Sequence, residues 1–503
     1  MEKEKHYFNL SKQVGTSYFF NLLIILFQPL LTALLTRALS IEEYGTYSLL
    51  LATITMFSVL FRFGIVEYIR NKIPGLVEDS RIRTIITLLL FWFIFLMLMG
   101  ILLFLLSDVI ISLLAIQNYT FVWLLSIFLI IFIALNDITE SYLTSIKKIF
   151  VSSLFSFIAK CSWITVLFAL FWLKDANFSI NLNSVFVIWL IGTTGSLFLA
   201  IYYLRHEITY FSKNALKFDL PKLRLALNFS IPLVFVISFN WIIEVSDRYL
   251  INYFLGKKEV AVYSLAYGLV TILISIPIIF QKVIQPYFSE KWNMGEDASV
   301  FFNIMLKYSL MMVLPAISGM FFLRNEIIML LSGKEYLPAA PLLMVLLPVS
   351  LFAVIKYIFD KTMFLRDMIK PMILIYLMAA AVNILFNLYF IPRIGAIAAA
   401  YSTVISYFII LLIMFCLRPK EIRIKFNYLK PIRILIASIL MGVMITLASP
   451  TQYWQTIIMI IGGIIIYALL LFALRVFNLE ERKLLYLIYN GVKTKLAFNQ
   501  VKR

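Results

Sequence analysis

Three basic residues stand where no water is expected. Arg62, Lys160 and Lys282 lie inside long apolar runs, with no acidic residue within one helical turn. On insertion scales a charge at the middle of a bilayer costs about 2.5–3.5 kcal/mol, so such residues mark pathways and relays. The chemistry they suit is the passage of an anion. A pyrophosphate leaving water must exchange its hydration shell for fixed donors and positive charge, and a guanidinium offers a bidentate fork for it. A cationic cleft lined by Arg62, Lys160 and Lys282, joined by Arg248 and Lys356, is the sharp expectation. The ordinary alternative for Arg62 and Lys282 is snorkelling, since both lie toward the inner ends of their runs.

The acidic residues read in the same way. Glu244 and Arg248 are four apart, with Asp247 beside them, and Lys356 and Asp360 are four apart. Pairs at this spacing on a helix neutralise each other, which is the structural reading of all four. Asp137 and Glu140 share a helix face without a cation within one turn, so they require a partner on another helix, and Lys160 is a candidate. Arg37 and Arg70 read as interfacial anchors. Trp123, Trp172, Trp189, Trp241 and Trp454 read as an interfacial belt, and Trp92 and Trp163 as packing. Cys161 and Cys416 lie in apolar runs far from any CxxC spacing, and His6 and His206 are solitary, so neither a metal site nor a Cys/His catalytic pair is expected.

These side chains need elements to hold them. The 503-residue chain is 62% hydrophobic and 14% charged, with mean hydropathy +0.96. A soluble protein of this size is about a quarter charged. Apolar runs of roughly 20 residues or more recur at about 14–38, 47–69, 84–106, 119–142, 151–172, 184–204, 228–250, 261–284, 301–323, 338–360, 371–391, 396–417, 432–449 and 453–474, enough for fourteen membrane-crossing helices. The expected class is an all-α polytopic membrane protein. The net charge of +18 resides mainly between runs, at 205–224, 418–433 and the tail from Arg475. The positive-inside rule accounts for it without a nucleic-acid partner, and it sets both termini in the cytoplasm. The charged first residues lack a cleavage site, so no cleaved signal peptide is expected.

The chain also repeats itself. LSIEEYGTYSL at 39–49 matches LGKKEVAVYSL at 255–265 at Leu, Glu and Tyr-Ser-Leu, each joining two spans on the outer side. LTSIKKIF at 143–150 and MFLRDMIK at 363–370 end the fourth and tenth spans at a similar offset. Six spans is an even number, so the copies enter the membrane in the same direction. They form a parallel repeat about an axis along the membrane normal. The expected division is an N-lobe at 1–220, a C-lobe at 221–417 and an appendage at 418–503, with a central cleft between the lobes. Pro29, Pro232 and Pro277 suit bending helices at a moving interface, although proline is also common in membrane helices.

TRALSIEEYGTYSLL (36–50), DRYLINYFLGKKEVAVYSLAYGL (247–269), EIIMLLSGKEYLPAAPLLMVLLPVSLF (326–352) and NILFNLYFIPRIGAIAAAYSTVISY (383–407) resemble the polysaccharide-transport flippases of the multidrug/oligosaccharidyl-lipid/polysaccharide exporter superfamily. The resemblance covers essentially the whole chain; Ala261 and Ala398 stand where the family usually has glycine. It implies a bacterial cytoplasmic-membrane flippase, not an enzyme. The implied cargo is an undecaprenyl-pyrophosphate-linked oligosaccharide repeat unit for O-antigen, capsule or a similar envelope polysaccharide, moved by alternating access. Polysaccharide polymerase and assembly proteins are the implied partners, besides membrane lipids. No resident cofactor is implied. Some relatives couple lobe motion to Na+ or H+, and in such a scheme Asp247 or Glu244 with Asn383 or Asn387 would supply oxygen ligands; the asparagines equally suit bonds between helices. The competing readings are a peptidoglycan-precursor flippase or a cation-coupled drug exporter of the same fold. More distant is a multispan glycosyltransferase or polymerase using Glu42 or Glu43 of the first outer loop.

Overall fold

In lipid the backbone must satisfy its own polar groups, so a chain this apolar folds as helices. The computed structural model describes residues 2–76, 78–173, 180–214, 218–294, 299–418, 429–447, 453–477 and Glu481. The helices are α1 (Glu2–Ala38), α2 (Ile41–Arg62), α3 (Ile65–Lys72), α4 (Glu78–Leu105), α5 (Ser107–Leu114), α6 (Thr120–Ser145), α7 (Ile149–Leu173), α8 (Leu182–Asn214), α9 (Leu220–Leu255), α10 (Lys257–Asn293), α11 (Ser299–Phe322), α12 (Arg324–Ser332), α13 (Ala339–Leu365), α14 (Ile369–Ile394), α15 (Ile397–Cys416), α16 (Leu429–Thr446) and α17 (Tyr453–Ala473). Fourteen of them are long and apolar enough to cross a membrane, in the positions expected from hydropathy. The short α3, α5 and α12 were not anticipated. Parts of the basic segments at 205–224 and 418–433, and nearly all of the tail, lie outside the described residues.

The repeat is visible in the backbone. The α6–α7 turn has Lys147 at φ 62°, and the α13–α14 turn has Asp367 at φ 52°. The amide of Lys148 bonds the carbonyl of Leu143 at 2.9 Å; the amide of Met368 bonds that of Met363 at 3.0 Å. These are the long hydrogen bonds of one helix-ending motif, built twice. The pairs α4–α5 and α11–α12 also correspond, ending at positive-φ Ala115 and Gly333. In one half α7 and α8 pack together with α1 and α6, and in the other α14 and α15 pack together with α9 and α13. The appended α16 lies on α11, with Ser318 Oγ donating to the Ser438 carbonyl at 2.6 Å.

One element breaks the symmetry. α10 is unbroken to Asn293, whereas the matching helix in the first half stops at Arg62. Phe63 (φ 49°) and Gly64 (φ 67°) both turn left-handed, and α3 then starts in a new direction. The freed carbonyl of Phe61 accepts from the Trp92 indole at 2.7 Å, while the Gly64 carbonyl, which accepts the Tyr68 amide of α3 at 3.2 Å, also accepts from Ser230 Oγ at 3.0 Å. The prolines make no such interruption: α1 continues through Pro29, α9 through Pro232 and α10 through Pro277.

The two halves meet through α2 and α10. Ser40 caps α2 by accepting from the Glu43 amide at 3.3 Å, while the Ser40 amide donates to the Glu43 carboxylate at 3.0 Å. This capping box sets the first turn of α2 against the first turn of α10. Arg37, read above as an anchor, adds bonds to the carbonyls of Leu330 and Leu331 at 2.6 and 3.3 Å, across the halves. We call this the closed end.

Candidate functional site

Between the halves lies a cavity of about 820 Å³ lined from α1, α2, α6, α7 and α8 on one side and α9, α10, α13 and α15 on the other. At the closed end it stops against Tyr44 and Tyr47, both nearly inaccessible. Toward the opposite end the basic side chains on and beside its wall are open. The side chains of Lys160 and Arg70 are about half exposed, at 52% and 49%, and Lys282 is exposed.

Helix geometry explains who meets whom at this basic end. Asp137 and Glu140, three apart on α6, face the cavity together. Their required partners come from other helices: Arg62 of α2 lies 3.3 Å from Asp137, and Lys160 of α7 lies 4.0 Å from Glu140. Arg70 reaches the same Glu140 at 4.0 Å and bonds Ser141 Oγ at 3.2 Å. Lys282 faces the electrostatic field of Lys160, Arg70, Glu140 and Lys361. Thus Arg62 and Lys160 meet at the α6 carboxylates, with Lys282 within electrostatic reach of Lys160 and Glu140, and Arg62 and Lys160 are not without acids as the local sequence suggested. Their partners stand 75 and 20 positions away. Arg70 and Lys361 belong to this group, and sequence reasoning missed both. The break at Phe63–Gly64 redirects α3 and with it Arg70, and no hydropathy window reports such a turn.

Deeper in, the α13 pair behaves as its spacing implies. Lys356 Nζ lies 3.5 Å from Asp360, donates to Asn240 Oδ1 at 2.8 Å and lies 5.0 Å from the Tyr376 ring centre. Tyr376 in turn donates to Asp360 at 2.7 Å. The α9 pair departs from its spacing. Arg248 donates from Nη1 to the backbone carbonyl of Glu244 at 3.0 Å and from Nε to Ser264 Oγ at 3.2 Å, while the Glu244 carboxylate accepts from Tyr407 at 3.0 Å. The two charges do not close on each other.

Asp247 points the other way, into the second half. It is fully buried, and its oxygens accept from the Tyr263 hydroxyl, from Thr403 at 2.7 Å and from Asn387 at 2.6 Å. Asn383 accepts from Ser246 at 3.2 Å and donates to Ser402 at 3.2 Å, and Ser402 donates to Asn387 at 2.6 Å. The Asn pair therefore does link helices, and it does so around a carboxylate. Tyr263 comes from the repeated turn at 255–265 and Thr403 from the segment 383–407 that carries the family resemblance; neither was expected as a polar partner of Asp247. Trp189 is likewise no belt residue. It stacks on Trp163 at 5.2 Å and both line the cavity.

This architecture has been seen in other molecules. The lipid II flippase MurJ in an inward closed conformation superposes with a TM-score of 0.73 at 18% identity, covering 91% of this chain and 97% of that one. An inward-facing multidrug resistance MATE family transporter of the MOP superfamily gives 0.62 at 12% identity over 80% and 97%. By sequence, an uncharacterized membrane protein of Methanocaldococcus jannaschii is 27% identical over 246 residues, 47% of this chain and 48% of the relative; the match thus spans about half the length of that relative. The chain shares the fold of these two transporters, a multi-pass bundle with its cavity between repeated halves. Residues 10–292, more than half of the chain, match the polysaccharide biosynthesis protein family, and the chain belongs to it.

Proposed function

We propose that this protein flips an undecaprenyl-pyrophosphate-linked oligosaccharide repeat unit across the bacterial cytoplasmic membrane for an O-antigen, capsule or related polysaccharide. The observation that carries the reading is the meeting of Arg62, Arg70 and Lys160 at Asp137 and Glu140 on the cavity wall, with Lys282 within electrostatic reach. In this reading the closed end faces outward, both termini are cytoplasmic, and the basic end receives the pyrophosphate while the polyprenyl chain remains in lipid. Cations there outnumber the carboxylates that bridge them, and a water-filled pocket with low-dielectric walls focuses that field on an arriving anion. Release outside requires the α2–α10 seam to open as the halves rock.

Na+ or H+ coupling fits the Asp247 pocket. Among the described residues its carboxylate has no basic side chain bonded to it; the hydroxyl oxygens of Tyr263 and Thr403 lie against it, and the side-chain oxygens of Asn383, Asn387 and Ser402 lie one hydrogen bond further on, hard donors of the kind a small cation prefers. Cation binding there would tighten α9, α10, α14 and α15 around it.

A peptidoglycan-precursor cargo is the second reading, favoured by the likeness to a lipid II flippase; it has the same pyrophosphate. A drug exporter would favour acidic, aromatic-lined walls for cationic compounds. A polymerase or glycosyltransferase reading is weakened at Glu43, whose carboxylate is engaged in capping α2. Deletion of the gene decides among these. Complete, unpolymerised lipid-linked repeat units accumulating on the cytoplasmic side are the expected result. Accumulation of peptidoglycan precursor instead would shift the cargo, and missing or truncated units would indicate a biosynthetic enzyme.

A further inference from the structure

We propose that α12, with the 3-10 turn Lys334–Tyr336 after it, is a releasable latch across the closed end, fastened by Arg37, and that α5 with its turn Gln117–Tyr119 is a weaker second copy. The inference rests on the transporter reading above only in taking the closed end to face outward, and it adds which contacts hold that end shut.

A helix leaves its last carbonyls without intrahelical partners. Both of these short helices, neither anticipated from hydropathy, find the missing partners in the other half. At the end of α12 the Arg37 guanidinium donates to Leu330 and Leu331, and Thr36 Oγ1 donates to the Leu331 carbonyl at 3.5 Å. At the end of α5, Asn252 Nδ2 donates to the Leu114 carbonyl at 3.2 Å. Thr36 and Asn252 correspond in the repeat, each standing three residues before the leucine, Leu39 or Leu255, that opens the repeated turn. The 3-10 turns repeat the crossing. Tyr336 ends one and meets the Tyr44 ring edge-on at 5.8 Å; Tyr119 ends the other, with the Lys257 ammonium 5.5 Å from its ring centre. Each half thus straps the first two helices of the other, α1 and α2 or α9 and α10.

The two straps differ in strength. A guanidinium at a helix C-terminus gains from charge as well as from its bonds, and a single amide does not. α12 packs against α1 more than against α11 or α13 of its own half. Tyr336 is 1% exposed, whereas Tyr119 is only partly buried. The α12 strap therefore dominates, and it is also built to release. The hydroxyls of Ser332 and Tyr336 are buried without a hydrogen-bond partner among the described residues. Closure leaves both unmet at a cost, and parting of the halves returns them to solvent together with the α12 carbonyls. Arg37 favours the closed state and the unmet hydroxyls oppose it, so the balance between closed and open is set at this end.

The test measures distances between spin labels at exposed positions 118 and 334 by double electron–electron resonance, on the full chain in lipid nanodiscs with Cys161 and Cys416 replaced by serine. The unsubstituted latch should give a dominant short-distance population. R37A should raise the ratio of open to closed populations at least tenfold, and N252A less than threefold. R37K, which keeps the charge and loses the fork, should fall between; it carries the comparison if R37A does not fold. Y336F, added to R37A, should return the ratio toward closed at least threefold, a reversal that mere loss of packing does not produce. Populations unmoved by R37A and R37K, an N252A effect equal to that of R37A, or further opening on Y336F overturns the proposal. Orientation is read separately: in intact cells a cysteine at position 334 should react with a membrane-impermeant maleimide. Reaction only after lysis would sink the outward-facing assignment and leave the distance result standing.

Discussion

Gly45 lies directly against the backbone of Lys257: a Cβ built on Gly45 would come within 2.1 Å of the Lys257 carbonyl oxygen. The two residues belong to the two copies of one repeated turn. Backbone-to-backbone contact of this kind needs a residue without a side chain, and it closes one end of the cavity by the same surface in both halves. The second copy has Ala261, fully buried, where the first has Gly45.

A larger residue at position 45 should therefore wedge the closed end. Gly45→Leu is expected to hold the halves apart there, seen as a longer and broader distance between spin labels placed at Glu42 and Lys258, and to reduce transport at least tenfold. An unchanged distance distribution would show that the seam is not the gate.

Removing Arg62 has two consequences that can be separated. It takes a donor from the basic end and strands Asp137 without its 3.3 Å partner. Stranding the acid should cost on the order of 2–3 kcal/mol, below the value for a fully buried pair because both side chains retain some exposure. Arg62→Ala should lower the melting temperature and abolish export. Adding Asp137→Asn should recover most of the melting temperature without recovering export. Export restored by the double substitution would make Arg62 purely structural.

Gly64 holds φ 67°, with Ser230 Cβ 2.8 Å and the Ser230 carbonyl oxygen 2.9 Å from where its own Cβ would lie. Gly64→Ala should cost about 1–2 kcal/mol from the left-handed backbone alone, with a further penalty from the contact. Ser230→Ala loses only a hydrogen bond, about 0.5–1.5 kcal/mol. Thermal melting of the two variants should rank them in that order. If Gly64→Ala also mobilises α3, hydrogen exchange should rise across Ile65–Lys72.

The Asp247 pocket predicts a cation effect on stability. A ligand that binds only the folded state raises the melting temperature with concentration. Sodium in place of choline should stabilise the wild type and leave Asp247→Asn unmoved. Equal responses in both proteins would exclude this pocket as the coupling site.

The sequence alone determined the solvent and the count of spans, because crossing lipid demands long apolar stretches, and nothing but helices satisfies the backbone there. It determined the repeat, since each copy must rebuild the same turn: Lys147 and Asp367 adopt one conformation from unlike side chains. It also showed the intramembrane charges, which stand out wherever apolar residues surround them. Tertiary structure decided their partners. Arg62 meets Asp137, Lys160 meets Glu140, and Arg248 declines the Glu244 that its spacing offered. A helix surface brings many residues within reach of a side chain, and only the packing of neighbouring helices selects among them. The break at Phe63–Gly64 belongs there too. It rests on the Trp92 indole and the Ser230 hydroxyl, groups 31 and 166 positions from the carbonyls they satisfy.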